Sequence, residues 1–230
     1  MEQFERDVSD SLSREHLPGE AVSLALLARA QRGDSEALQE LLERYQPRLR
    51  RIVRIRLRAS RLRQLHDSMD FVQGTLMAAL PRIGELRPRS SASLLNWLSI
   101  LATHQIRDAY DHQHAAKRDV RREVPIDVHG SRDGAAEPAE DSRCDPGRVA
   151  ELSELRECLD EAVSELSDDQ RQVVLLRDYC GEDWDRIAAE LGRESGAARQ
   201  LHQRAWIKLR RRLRPMFGER GSSSQDREVR

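Results

Sequence analysis

The chain has 230 residues, of which 38% are hydrophobic, 34% charged and only 4% aromatic, and its formal net charge is -1. This length allows one or two modest domains, and the composition favours helices over a β-sandwich. No apolar run approaches the roughly 20 residues that cross a bilayer, and the first residues lack the apolar core of a signal peptide. We therefore expect a cytoplasmic protein. The three cysteines and seven histidines are too scattered to predict a metal site or a cofactor.

The first helical segments follow a polar stretch, residues 1–20, that we interpret as a flexible extension. Helical periodicity begins near Val22. Asp34 is placed to cap the next helix, and Pro47 suits the first position of a further one. That further helix carries eight arginines between Arg48 and Arg63 and no acid.

A new helix is predicted from Asp67 or Ser68 toward Ile83, with Pro81 placed to kink or end it. One face is apolar, and the opposite face shows Asp67, Asp70, Gln73 and Met77. An acid-rimmed face with an outward Met suits a protein partner, because Met adapts to irregular surfaces. An ordinary solvated helix has much the same pattern.

A long helix is predicted from about Leu94 to Lys117, after a loop at 87–93. Six residues project away from the buried face of this helix or lie along the edge of that face: Trp97, Ile100, His104, Arg107, Tyr110 and Asp111. Aromatics beside Arg and His are typical of a platform for unpaired bases, where each stacked base contributes about 1–3 kcal/mol. The alternative is that Trp97 is simply a half-buried core residue, and the spacing does not separate the two.

The middle of the chain, residues 119–147, is rich in Pro, Gly, Asp and Glu and has little periodicity, which predicts a flexible linker. It separates a first domain, 21–118, from a second helical block, 148–217, and residues 218–230 are typical of a disordered tail. The predicted fold is therefore all-α, with an N-terminal helical bundle and a C-terminal helix-turn-helix domain.

The second block opens with a charge run and a capping signal. Residues 151–169 hold eight acids and one Arg, and we hypothesise that they occlude or repel DNA in the free protein. Ser167 and Gln170 have the spacing of a capping box at the start of the next helix.

The segment from Trp184 to Leu213 predicts a helix-turn-helix, with a turn at Gly192 and a long basic helix capped by Ser195. From Ser195 to Arg214 there are seven Lys or Arg and no acid. Arg can bridge the acceptors of guanine and Gln those of adenine, whereas the later basic residues suit phosphates. The candidate DNA contacts are Arg199, Gln200, Gln203, Arg204 and Lys208. The alternative is a solvated basic helix end.

Four segments in this order resemble a sigma-70 family RNA polymerase sigma factor of the extracytoplasmic-function type. They are LLARAQRGDSEALQELLERYQPRLRRIVRIRL (26–57), DSMDFVQGTLMAAL (67–80), LLNWLSILATHQIRDAYDHQHAAKRD (94–119) and the helical block at 159–213 that ends in WDRIAAELGRESGAARQLHQRAWIKLRRRL. No third domain intervenes, which agrees with this compact type.

The resemblance implies a role for each candidate surface. The Asp67–Met77 face would bind the clamp region of core RNA polymerase, the 94–119 helix would melt and read the −10 promoter box, and the Arg199–Lys208 face would read the −35 box. It further implies a transcription initiation factor that is not an enzyme. Factors of this type are often held by an anti-sigma factor, and the sequence does not show whether this chain has one. Gly74 departs from the family's usual acid, and Ile100 and His104 stand where Arg and Asn are commoner.

Two other classes of protein share some of these features. An autonomous helix-turn-helix regulator usually dimerises on two half-sites, but no helix with dimerisation heptads is evident, and the first domain would have no role. A helical adaptor would leave the Arg199–Gln203 face unexplained. A stable dimer in gel filtration would favour the regulator, and co-purification with core polymerase would exclude both.

Overall fold

The computed structural model describes residues 19–60, 67–88, 90–119 and 146–218, and these ranges contain helices and no strand. The helices are α1 (Glu20–Ala30), α2 (Ser35–Ser60), α3 (Ser68–Ala79), α4 (Ser91–Asp119), α5 (Pro146–Ser164), α6 (Asp168–Val174), α7 (Trp184–Leu191) and α8 (Ser195–Gly218). A 3₁₀ helix, Leu80–Glu85, follows α3, and a π-helical segment, Leu175–Tyr179, follows α6. The all-α prediction is confirmed. Most of the predicted extension, linker and tail lies outside the described residues.

A single helix, α2, stands where the sequence predicted two, so the predicted helix start at Pro47 is wrong. Proline inside a helix removes a backbone hydrogen bond and costs about 3 kcal/mol. The apolar stripe nevertheless continues past it, because Leu41, Tyr45, Leu49 and Ile52 are all buried. Each buried leucine or isoleucine contributes about 1.5–3 kcal/mol, which offsets the cost of the proline.

The N-terminal block packs α1, α3 and α4 around α2. As predicted, Asp34 caps α2, since its carboxylate accepts a hydrogen bond from the Ala37 backbone at 3.0 Å. That bond and the Arg29 guanidinium lower the pKa of Asp34. At Gly74, where the family usually has an acid, a Cβ would lie 3.1 Å from the side-chain oxygen of Gln105 on α4, a tight contact with the end of a flexible side chain.

The C-terminal block contains the predicted helix-turn-helix, formed by α7 and α8. Gly192 ends α7 in the left-handed conformation, with φ 60°, as the predicted turn requires. Two local predictions are wrong. Ser195 is the first residue of α8 and not its cap, because Glu194 supplies the carbonyl that Ala198 bonds. Ser167 precedes α6 but makes no capping bond, and its hydroxyl donates to the Gln170 side chain at 3.1 Å.

The two helical blocks meet across α2 and α5 through a buried polar cluster. Arg51 donates from Nε to both carboxylate oxygens of Asp160, at 2.9 and 3.0 Å, and the Tyr179 hydroxyl donates to Asp160 Oδ1 at 2.7 Å. The Arg51 guanidinium also lies 4.8 Å from the centre of the Tyr179 ring. Burial raises the pKa of Asp160, while Arg51 and Tyr179 oppose that shift. Arg51 of α2 is therefore paired with an acid of the 151–169 run, Asp160 of α5.

Further contacts between the blocks surround this cluster. Arg56 donates to Gln172 at 2.8 Å, and Asn96 of α4 donates to Glu190 of α7 at 2.8 Å. Burial lowers the pKa of Arg56 to about 10. The acidic run thus contacts α2 and leaves the outer face of α8 uncovered, so the hypothesised occlusion of DNA is not seen. Repulsion of DNA remains a prediction.

Candidate nucleic-acid interface

The outward face of α3 carries the four residues predicted for a protein partner, and all four are exposed: Asp67, Asp70, Gln73 and Met77. Met77 is the most open, at 68% exposure. Asp67 also has a structural task, because it caps α3 by accepting a hydrogen bond from the Met69 backbone at 2.9 Å. The opposite side of the helix is buried against α2 and α4, which fixes the direction of this face.

The predicted platform on α4 changes character along the helix. Trp97 and Ile100 are half-buried, whereas the remaining members, His104, Arg107, Tyr110 and Asp111, are exposed. Trp97 packs against the core and lines a small cavity with Leu41, Tyr45 and Ile83. The half-buried alternative therefore describes Trp97 correctly, but part of its surface remains open.

The side of α4 next to Trp97 belongs to the contact between the blocks. Asn96 and Ser99 are buried there. Asn96 bonds Glu190, and the Ser99 hydroxyl lies 3.4 Å from an Arg56 nitrogen. The first turns of α4 are thus held by both blocks, whereas His104, Arg107, Tyr110 and Asp111 further along the helix are exposed.

The outer face of α8 brings all five predicted DNA contacts together on one exposed surface: Arg199, Gln200, Gln203, Arg204 and Lys208. Ile207, at 62% exposure, lies among them. Lys208 donates to Gln170 Oε1 at 2.7 Å, which ties its ammonium group to α6. The three- and four-residue spacing of Ala198, Leu201, Ala205, Leu209 and Leu213 predicts an apolar stripe on the inner side of α8. The stripe is confirmed, because four of these residues are buried and Leu201 is partly buried.

An aromatic and polar cluster that the sequence analysis missed supports α8 from behind. Asp178 Oδ2 lies 2.8 Å from His202 Nε2 and 3.1 Å from Trp206 Nε1, so its carboxylate accepts from both rings when the His202 proton is on Nε2. Trp184, the first residue of α7, meets the His202 ring edge-on at 5.3 Å. The spacing of His202 and Trp206, one helical turn apart, was the signal that could have revealed it.

Within the described residues, no three His, Cys, Asp or Glu side chains are grouped as metal ligands, and no helix has the length and apolarity of a membrane span. Cys180 is fully buried, and burial raises its pKa to about 12. Cys158 is partly buried, and Cys144 lies outside the described residues.

Comparison with known proteins divides the chain in the same way as its helices. Residues 41–116 match Sigma-70 region 2, and residues 156–209 match Sigma-70, region 4. The RNA polymerase sigma factor CarQ of Myxococcus xanthus is 28% identical over 181 residues, which cover 79% of this chain and 91% of the relative. The ECF RNA polymerase sigma factor SigD of Mycobacterium tuberculosis is 29% identical over 186 residues, 81% of each chain.

Two solved structures are also similar. CnrH in complex with the cytosolic domain of CnrY is 21% identical, with a TM-score of 0.49, over 84% of this chain and 98% of the other. RpoE in complex with the anti-sigma factor NepR from Bartonella quintana is 23% identical, with a TM-score of 0.48, over 76% and 95%. The candidate residues of α3 and α4 all fall within the region 2 match, and those of α8 within the region 4 match.

Proposed function

The chain belongs to the sigma-70 family of RNA polymerase sigma factors, of the extracytoplasmic-function type, and from this premise we propose how its surfaces divide the work of promoter recognition. As a member it is a transcription initiation factor that binds core RNA polymerase and directs it to promoters. The proposal is that α8 reads the −35 box, α4 holds unpaired −10 bases and α3 binds the polymerase clamp. The observation that carries it is the single exposed face of α8, which has basic and amide side chains and no acid.

The −35 assignment follows from the position of these side chains on α8. The first turns of a recognition helix reach the base edges in the major groove. Arg199, Gln200 and Gln203 lie there and are exposed. Arg204 and Lys208 lie further along, where contacts to phosphates position the helix. Bases are therefore read by the first three residues, and phosphates are bound by the last two.

The −10 assignment rests on the gradient of exposure along α4. The exposed Tyr110 ring offers a stacking surface, and Arg107 lies within a turn of it to follow the phosphates. The open part of Trp97 marks the other end of the same face. His104, between them, offers a ring and a hydrogen-bonding edge to an unpaired base.

The clamp assignment rests on α3. Met77 is an exposed, adaptable apolar side chain, and Gln73 and Asp70 lie one and two turns before it on the same face. An apolar anchor with a polar rim is the usual composition of a protein interface. This face points away from α2 and α4 and is open to a large partner.

The proposed domains are 21–118 and 148–217, joined by the 119–147 linker, with 1–20 and 218–230 as extensions. Boxes centred about 25 base pairs apart are separated by roughly 85 Å along B-DNA, at 3.4 Å per base pair. Asn96 contacts Glu190. The chain from Glu190 to Arg199 spans at most about 34 Å, and the helix from Asn96 to Asp111 adds about 22 Å. The described arrangement is therefore too short for both boxes, and we propose that the blocks separate on the promoter while the linker keeps both grips on one polymerase.

Reconstitution tests the whole proposal. The purified chain and core polymerase are incubated with genomic DNA, and transcript starts are mapped. We expect co-elution of the two proteins and start sites that share two sequence boxes at the spacing given above. A core polymerase that opens no start site with the chain would contradict the proposal. Binding of a chain dimer to the −35 box without core polymerase would favour the autonomous regulator.

We further propose that the chain acts in the cytoplasm, where the chromosome is transcribed, and that it carries no catalytic activity of its own. An anti-sigma factor is the regulatory partner that family membership implies. A segment that blocks co-elution with core polymerase, when produced together with this chain, would identify such a partner.

A further inference from the structure

We propose that Trp184 is a specificity-determining positioning residue, whose ring holds the Arg199 guanidinium in the pose from which it reads one base of the −35 box. This inference rests on the proposed function of Arg199. The inference goes beyond that function because it assigns the choice of base partly to Trp184. This residue lies on a different helix and need not touch DNA.

The contact itself has the geometry of a cation–π interaction. The Arg199 Cζ atom lies 5.6 Å from the centre of the Trp184 ring, within the roughly 6 Å over which a guanidinium is attracted to an aromatic face. To the rest of the described chain, Arg199 makes no hydrogen bond or ion pair. The ring is therefore the feature of the described structure that restricts where this guanidinium lies.

The ring is held in place by its own neighbours. Asp183 caps α7 by accepting a hydrogen bond from the Arg186 backbone at 2.8 Å, and this fixes the helix start where Trp184 lies. Arg177 lies 5.0 Å from the ring centre, and its guanidinium donates to the Glu182 carbonyl at 2.8 Å. The Trp184 ring is thus a fixed surface. It contacts the Arg177 guanidinium, which is hydrogen-bonded, and the Arg199 guanidinium, which within the described chain is not.

The same ring is coupled to α8 through His202. Arg199 and His202 are three residues apart and therefore neighbours on the helix surface. His202 meets Trp184 edge-on and is fixed by the Asp178 carboxylate, which also accepts from Trp206. These contacts hold the first turns of α8 beside Trp184, so the position of Arg199 relative to the ring is supported by its helix neighbours as well.

A restricted arginine reads a base more selectively than a mobile one. Its long side chain loses rotamer freedom when it binds two acceptors of guanine, and a side chain that is already ordered loses less. The orientation also matters, because the bidentate contact requires the planar guanidinium to meet the base edge in one geometry. Without the ring, Arg199 adopts other rotamers and contacts phosphates or other bases.

The test uses holoenzyme assembled from core polymerase and the full chain. Its template library carries one mapped promoter with a randomised −35 box, and transcripts are sequenced to give the initiation rate for each base at each position.

The variants are Arg199→Ala, Trp184→Leu, Trp184→Met, Trp184→Phe and the double variant Trp184→Leu/Arg199→Ala. Val22→Ala, which truncates an exposed apolar side chain on α1, away from the DNA-reading face, is the control. Thermal unfolding identifies any variant that fails to fold. Trp184→Leu and Trp184→Met, the two ringless variants, both remove the aromatic ring, so if one fails to fold, the other is used in its place.

We expect Arg199→Ala to reduce the preference at one position about 10- to 100-fold. Trp184→Leu and Trp184→Met should reduce the preference at that same position about two- to fivefold, and Trp184→Phe should retain most of it. The double variant should equal Arg199→Ala alone, because the ring acts only through the arginine. The control should keep the wild-type preference at this position.

Other outcomes overturn the inference. If the ringless variants lose preference equally at all positions, or gain preference, the ring does not act through Arg199. The same conclusion follows if the effect of Trp184→Leu adds to that of Arg199→Ala. If Arg199→Ala itself changes no preference, the −35 role proposed for Arg199 fails as well. If Arg199→Ala changes the base preference but the Trp184 variants do not, the proposed function stands and this inference is wrong.

Discussion

The two faces proposed for promoter DNA differ in what supports them. On α8 every candidate side chain is exposed, and the supporting cluster of Asp178, Trp184, His202 and Trp206 belongs to the same helical block. On α4 the candidate face begins with half-buried Trp97, and the adjacent Asn96 bonds a residue of the other block. The −35 face is thus preformed within one block, whereas the start of the −10 face is shared with the core and with the contact between blocks.

This difference has a physical consequence for function. Duplex DNA presents fixed base edges, and a rigid helix face suits it. Unpaired bases are held by stacking, and on α4 the open part of the candidate face, His104, Arg107 and Tyr110, lies beyond the half-buried Trp97. Substitutions on α8 should therefore change DNA recognition alone, while those near the start of α4 should change folding stability as well.

The largest effect is expected at the contact between the blocks. Asp160→Ala removes the carboxylate that Arg51 pairs with in a buried site. Breaking one side of a buried ion pair costs about 3–5 kcal/mol, so the free energy of unfolding should fall by that amount in urea titration. The −35 preference of the holoenzyme should remain, because the face of α8 does not depend on this contact.

Two controls sharpen that measurement. The double replacement Arg51→Met/Asp160→Leu should recover most of the lost stability, since an apolar pair fills the site without buried charge. Glu165→Ala, which removes the exposed partner of Arg212, should leave the urea midpoint unchanged. A small loss from Asp160→Ala would mean that the two blocks are not joined by this cluster.

The second effect concerns Trp97. Truncating a buried aromatic costs about 3–5 kcal/mol, and for a half-buried ring we expect about 2 kcal/mol from Trp97→Ala in urea unfolding. Open-complex formation, followed by permanganate reactivity of unpaired thymines, should also fall. Trp97→Phe should restore most of the stability. Arg199→Ala, in contrast, should change stability by less than about 0.5 kcal/mol, and a larger loss there would remove the distinction between the two faces.

The third effect concerns α3. Met77→Ala removes an exposed apolar side chain, so stability should stay constant while affinity for core polymerase falls about fivefold, or about 1 kcal/mol. Fluorescence anisotropy of the labelled chain with core polymerase measures this. Val22, also exposed but on α1, offers the matched control Val22→Ala. Equal losses from both variants would argue against a specific clamp-binding face.

The smallest effect distinguishes the residues within the α8 face. Arg204→Ala should reduce the slope of log affinity against log salt concentration by about 0.9, since one phosphate contact is lost. The base preferences in the −35 library should be unchanged. Arg199→Ala should alter a base preference instead. A base-specific change from Arg204→Ala would exchange the roles proposed for these two arginines.

Local patterns in the sequence determined a large part of this protein. Helix periodicity gave the apolar stripe of α8, the glycine at Gly192 marked the turn, and Asp34 marked the start of α2, because each depends on residues within one or two helical turns. The exposed side of α3 followed from the same periodicity. These patterns were sufficient to predict an all-α protein and the resemblance that identified its family.

The tertiary structure alone decided the rest, for a common physical reason. Whether α2 continues through Pro47 depends on the helices that bury its stripe, and how deeply Trp97 is buried depends on α2 and the end of α3. The Arg51–Asp160 pair joins residues 109 positions apart, and Trp184 meets Arg199 only because a tight turn folds α8 back on α7. Such contacts arise from packing between helices, whose energies are comparable to local propensities but whose partners no short stretch of sequence specifies.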